Sequence, residues 1–277
     1  MEHFNFTRPG KIHNEDRVYS CDEFAFAIDG ATCLTGDHYS KFNSDAEWYS
    51  NWWKEYLVKA LKNKKKTIFE ILKKGIEKVV KDYVKLSGGK EPEDFPSATI
   101  CIARRNNGKI EIYTLCDCVV LLKSKTGETM FIQDPFNCVN DGFNLMTIQH
   151  FGKKEKLSFS EAIKKHRDIV IEGRKKKNKI GGYWVLSDKV EAVDHGIFNT
   201  IDEEIIDTIM LLTDGYAQVF DTVSFMTDKE LLSKGKTLKD IEKFYNKLYK
   251  LQDADPECNK HLRFKLRDDA SIAVMKF

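Results

Sequence analysis

The chain has 277 residues, 42% hydrophobic and 12% aromatic, with 16 Gly and 5 Pro, which excludes collagen-like, low-complexity and disordered chains. Its 45 Lys and Arg against 43 Asp and Glu leave a formal charge of +2, too little for a general attraction to nucleic acid or to an acidic membrane surface. The opening residues carry no apolar run behind their charges, and no stretch approaches the ~18 apolar residues of a membrane span, so a cytoplasmic protein is expected. Seven cysteines, an odd number with neither framework spacing nor a CxxC pair, are expected to be reduced thiols. No repeat, linker or Pro-rich segment divides the chain, so residues 1–277 are expected to form one domain and a monomer.

In chain order, residues 17–28 hold two short β-branched and aromatic runs broken by Cys21-Asp22-Glu23, a hairpin with a buried second strand. Residues 44–61 change period: with Ser44 as N-cap, Trp48, Trp52, Tyr56 and Ala60 lie beside Tyr49, Trp53, Leu57 and Leu61 in one broad apolar helical stripe. These tryptophans are packing residues, as is Trp184 on its short strand. A second helix covers about 67–86 and stops at Ser87-Gly88-Gly89. Strands follow at 98–103, 110–115 and 119–123, the first pair joined by Asn106-Asn107-Gly108, which predicts a meander. Residues 130–156 are poorly periodic and are expected to be loop with short strands. Residues 158–172 should form one helix capped by Ser158 or Ser160, and the Lys-rich run at 174–179 a solvated turn, like Lys62 to Lys66. Short strands are predicted at 183–186, 207–213 and 270–277, with helices at 226–234 and 237–251. Helices in adjacent pairs between strand blocks argue an α+β fold.

The chemistry lies at strand ends. FAFAIDG, ending at Asp29-Gly30, and IMLLTDG, ending at Asp214-Gly215, each drive an apolar strand onto a carboxylate followed by Gly. A buried strand holds such an Asp in place, and Gly permits a close approach and leaves its carbonyl accessible. Read singly, an Asp-Gly after a strand is a turn. Three further acidic sites stand at strand ends: Asn14-Glu15-Asp16, Asp117 between two apolar strands, and Asp268-Asp269. Oxygen donors of this kind suit Mg or Mn rather than zinc, which prefers His and Cys.

In this order, Lys11-Ile-His-Asn-Glu-Asp16, Phe26-Ala-Ile-Asp29-Gly30, Pro96-Ser-Ala-Thr99 with Asp117, Leu211-Leu-Thr-Asp214-Gly215 and Asp268-Asp-Ala-Ser-Ile272 resemble the metal-dependent PP2C-type (PPM) serine/threonine phosphatases over essentially the whole chain. Gly182-Tyr-Trp-Val-Leu186, followed by Glu191 to His195, is similar to bacterial members. The resemblance implies a four-layer α-β-β-α sandwich of two antiparallel sheets with a dinuclear metal site at one end. It implies two Mn or Mg ions, Asp29 bridging them, the Gly30 carbonyl on one, and Asp214 and Asp268 completing the other. Glu15 and Asp16 would act through bound water or as acceptors behind the ligands, and Asp117 would serve a third, weaker ion. The implied activity is removal of phosphate from phosphoserine or phosphothreonine in proteins by attack of a metal-bridging water, with a cognate Ser/Thr kinase as partner.

The sequence also departs from the family. Its phosphate-binding Arg falls on Lys11, which keeps the charge and loses the planar fork. Ala31 follows Asp29-Gly30 where many members carry a His proposed as general acid, while His13 is expected to be a loop residue. The Gly-Asp-Ser turn is Cys116-Asp117-Cys118, which with Cys33 is expected near the metal end, as buried filler or as an oxidation-sensitive group. Two classes of function follow: a phosphatase using Asp29, Asp214, Asp268 and Lys11, or a catalytically weak module that binds a partner or phosphoprotein. Substrate choice is expected in 130–156 and 172–182.

Overall fold

The computed structural model describes residues 2–277, without the side chains at 135 and 137–139. Two five-stranded antiparallel sheets pack face to face. The first has the order β1 (Glu2–Arg8), β10 (Ala270–Lys276), β9 (Ile206–Leu212), β6 (Val119–Ser124), β7 (Thr129–Ile132). The second has the order β2 (Arg17–Ser20), β3 (Phe24–Ala31), β4 (Ser97–Asn106), β5 (Lys109–Leu115), β8 (Ile197–Asp202).

The period-2 pattern of β3 builds two interfaces at once. Phe24, Phe26 and Ile28 face outward onto Tyr49, Trp53 and Leu57 of α1 (Asp45–Ala60) and Ile71, Leu72 and Ile76 of α2 (Ile68–Leu86). Ala25 and Ala27 face inward with Cys101, Ala103, Ile110 and Ile112, meeting Val120, Leu122, Ile209, Leu211, Ala273 and Met275 of the first sheet. Small inward residues on β3 and β4 let the sheets approach closely, and burial on both faces explains why FAFAI reads as an unbroken apolar run. The outer face of the first sheet is covered by α7 (Asp228–Lys234) and α8 (Leu238–Asp253), with Leu231, Ile241, Tyr245 and Leu248 against Phe6, Met210 and Val274. This gives the four layers expected from the resemblance.

Helix starts follow local chemistry. Ser44 accepts from the Glu47 N–H, and Thr67, Ser158, Thr227 and Thr237 each form a reciprocal capping box with the acidic residue three positions on, an N-cap being worth about 1 kcal/mol. Trp53 is fully buried, and a Cβ at Gly75 would fall 2.4 Å from its ring, so that glycine admits the close crossing of α1 and α2.

The first hairpin of the expected meander is present, and several other expectations are corrected. The strands at 98–103 and 110–115 pair through a two-residue turn with Asn107 at φ 51° and Gly108 at φ 74°. The third does not continue a meander: at Cys116-Asp117-Cys118 the chain crosses between sheets, and β6 pairs with β7 and β9. Residues 130–156 are not loop. After β7 they form α3 (Pro135–Glu155), capped by Asp134 on the Phe136 N–H at 3.0 Å. The helix at 158–172 is two, α4 (Phe159–Lys165) and α5 (Arg167–Arg174), broken at His166. Residues 183–186 contribute only an isolated bridge from Leu186 to Ala98. β1 and β8, both edge strands and largely exposed, were not anticipated. Among the described residues no helix is long and apolar enough to cross a membrane.

Candidate active site

The topology brings separated acidic residues to one end of the sandwich. Asp29 and Gly30 end β3, opposite Thr99 and Ala98 of β4. Asp214 opens the short helix α6 (Asp214–Ala217) directly after β9, and Asp268 lies just before β10. Because β9 and β10 are antiparallel neighbours with Leu212 paired to Ile272, those two carboxylates come to the same edge. Asp117 arrives there on the crossover from β5 to β6. Glu15, Asp29, Gly30, Asp117, Asp214 and Asp268 all line one cleft of about 390 Å³.

Close packing holds these ends together. A Cβ on Gly215 would lie 1.9 Å from the Asp269 carbonyl oxygen, and one on Gly30 would lie 2.8 Å from the Glu15 carbonyl oxygen, so both Asp-Gly pairs need their glycine for backbone approach. The Asp269 carboxylate accepts the N–H groups of Gly10 at 2.7 Å and Glu15 at 2.6 Å, tying the segment after β1 to the segment before β10. Glu15 in turn accepts from Thr32 Oγ1 at 3.0 Å and from the Ser44 hydroxyl, while Asp16, buried behind the cleft, accepts from Thr213 Oγ1 at 2.7 Å. His13 Nε2 stands 3.8 Å from Glu15.

Electrostatics mark the site as one that calls for cations. Burial, then the neighbouring Asp214 and Asp16, pushes the Asp29 carboxyl far above the usual carboxylate range; burial, then Asp268 and Asp117, does the same to Asp214. Burial and Asp269 push Asp16 up to about 8. Asp214 Oδ1 and Asp16 Oδ1 are buried without a hydrogen-bond partner, a costly state for an acceptor unless a cation or ordered water meets it. The donor set consists of oxygens, which fits a hard divalent ion such as Mn or Mg. The carboxylates converge without closing: among the described residues no three His, Cys, Asp or Glu side chains form a ready coordination group. Like charges brought to one cleft repel, which opposes closure of the carboxylates on one another.

One expected residue is elsewhere. Lys11 is exposed on the turn after β1 and does not line the cleft. The cationic residues that do, among the described ones, are Arg174 and Lys265. Arg174 closes α5 and donates from Nη2 to the Thr32 carbonyl, so the Lys-rich run expected to be a solvated turn begins inside the site. Lys177 of the same run pairs with Asp94 at 2.6 Å. Asn140, Asp141 and Asn144 of α3 also line the cleft, with Asp141 pushed up to about 7 by burial and by Asp117 against the opposing pull of Arg174. None of these was singled out from sequence. The one available signal was an Arg heading a run of lysines. Cys116 lines the cleft with φ 68°, a left-handed conformation that glycine adopts at no cost, which accounts physically for the Gly of the family's turn. Cys118 is buried with Thr99 Oγ1 3.0 Å from its sulfur, and Cys33 is buried beside the Asp37 carbonyl.

No family model matches the chain, and no curated protein matches it in sequence. Solved structures match its fold along nearly the full length. The serine/threonine phosphatase PstP/Ppp of Mycobacterium tuberculosis superposes with a TM-score of 0.57 at 13% identity, covering 100% of this chain and 98% of that one. Stp1 of Staphylococcus aureus gives 0.57 at 12% identity, covering 100% and 94%. The catalytic domain of PstP in complex with two manganese ions gives 0.54 at 14% identity, covering 99% and 96%. The chain therefore has the PP2C-type phosphatase fold, a likeness of architecture at this level of identity.

Proposed function

We propose that this chain is a Mn- or Mg-dependent phosphomonoester hydrolase that removes phosphate from phosphoserine or phosphothreonine in proteins, with residues 1–277 as one catalytic domain. The observation that supports it most is the shared cleft of Asp29, Gly30, Asp117, Asp214 and Asp268, drawn from strand ends far apart in sequence. Asp29 and the Gly30 carbonyl would hold one ion, Asp29, Asp214 and Asp268 the other, and Asp117 a third. When bound, such ions supply Lewis acidity at phosphoryl oxygens and water of lowered pKa.

The chain's own groups do the rest. Glu15 and Asp16 stand behind the ligands, Glu15 holding the hydroxyls of Thr32 and Ser44 and Asp16 that of Thr213, so the ligand-bearing segments keep their spacing. Arg174 and Lys265 bring positive N–H donors to a cleft that also holds the carboxylates, and a phosphoryl dianion would use that charge. Asn140, Asp141 and Asn144 of α3 form part of the cleft lining, and a substrate entering it would meet them. Ala31 places no imidazole beside Asp29-Gly30. A Ser/Thr kinase that makes the substrate is the implied opposing partner.

The test is release of inorganic phosphate from a phosphothreonine peptide. The proposal expects turnover that saturates with Mn and stops with chelator. No release from peptide or aryl phosphate at any Mn or Mg concentration would overturn it in favour of a binding module without turnover.

A further inference from the structure

Lys265 pairs with a carboxylate that is itself proposed to hold a divalent ion. Its ammonium lies 2.8 Å from Asp268 Oδ1 and it lines the cleft, with 53% of its side chain exposed. This is not a side chain laid down by chance on a mobile loop. The flanking residue Arg263 is buried and donates to the His261 carbonyl at 2.7 Å and the Leu266 carbonyl at 3.0 Å, one on each side of Lys265, and its guanidinium is anchored on Asp255 at 2.7 Å. Phe264 beside it also lines the cleft. The backbone is thus pinned so that position 265 faces the carboxylates.

We infer that Lys265 is a resident counter-cation that a divalent ion must displace from Asp268, and so sets the metal affinity of that position below what the carboxylates alone would give. This rests on the metal reading above. With a divalent ion on Asp268 at contact distance, the lysine paired to Oδ1 of the same carboxylate would face a like charge across a short gap and its ion pair would weaken or break. Binding at Asp268 therefore exchanges one cation for another, whereas binding at the Asp29 and Gly30 position does not break a lysine pair. The two positions should differ in affinity for that reason.

Calorimetric Mn titration of the whole chain tests this, comparing wild type with Lys265→Met and Lys265→Arg. The weaker of the two wild-type sites should tighten about tenfold in Lys265→Met, while Lys265→Arg, which keeps the charge, stays within a few-fold of wild type; circular dichroism checks that the variants fold. An unchanged or weakened site in folded Lys265→Met, or an equal tightening in Lys265→Arg, overturns the inference while leaving the phosphatase proposal standing. Absence of Mn binding in wild type and both variants would overturn the metal reading itself, and this inference with it.

Discussion

Replacing Arg263 by Met tests how the segment that carries Lys265 to the cleft is held. Arg263 is 5% exposed and its guanidinium binds Asp255 Oδ2 at 2.7 Å and the carbonyls of Asp255, His261, Leu266 and Gln252 at 2.8, 2.7, 3.0 and 3.3 Å. Met keeps much of the apolar stem and removes every donor, leaving a buried carboxylate with only the Lys260 and His261 N–H groups, both at 3.1 Å. Breaking a buried pair in this way costs about 3–5 kcal/mol. A chain of 277 residues has an unfolding entropy near its midpoint of about 0.6 kcal/mol/K, so Tm should fall by about 5–9 °C. Thermal unfolding at pH 7 reads this directly. The Arg263→Met/Asp255→Ala pair should lose clearly less than the sum of its singles, because the stranded charge is gone. A Tm fall under about 2 °C, or strict additivity, would refute the clamp.

The other expectations are independent of it. Asp29→Asn or Asp214→Asn should cut Mn-stimulated phosphate release by about 10³-fold, the scale of losing a main electrostatic stabiliser, with the far-ultraviolet spectrum unchanged; retained turnover in both would remove these residues from the centre. Gly215→Ala, whose Cβ would meet the Asp269 carbonyl oxygen at 1.9 Å, should destabilise by about 3 kcal/mol or more in denaturant titration. Chelator-treated protein should lose stability as pH rises from about 4 to about 8. Asp16 holds its proton up to about 8 when folded against 3.8 as its ordinary value, so the folded state binds more protons across that window. Asp16→Asn should flatten that slope in melts at pH 5.5 and 8, and an unchanged slope would count against the burial argument. Lys11→Ala, at a residue that does not line the cleft, should leave inhibition by inorganic phosphate within about twofold, whereas a large loss would return Lys11 to the site.

What could be read from sequence follows physical contrast. β3 and β9 stood out because burial on both faces demands an uninterrupted apolar run, and α2 because one face alone is buried. The edge strands β1 and β8 bury little, Phe6 being the buried residue of β1, and so leave almost no alternation to detect. α3 hid because its apolar residues encircle the axis: Ile148 is buried while Phe136, Phe143 and Met146 are exposed, so no stripe forms. The crossover at Cys116 to Cys118 is a choice between sheets, a long-range matter that spacing between strands does not encode. Asp29, Asp214 and Asp268 were legible as strand-end Asp-Gly and Asp-Asp pairs, whereas Asp141 on α3 was not. The cations of the cleft were not: Arg174 is masked by the lysines after it, and Lys265 reaches the cleft on a segment held by Arg263, whose contacts no sequence pattern announces.

Whether Asp29, Asp214 and Asp268 share divalent ions is tested most directly by an anomalous difference map from crystals grown with Mn. Two strong peaks are predicted, one against Asp29 and the Gly30 carbonyl and one among Asp29, Asp214 and Asp268. An ordered cleft without a peak, or manganese bound only away from these carboxylates, would contradict such sharing.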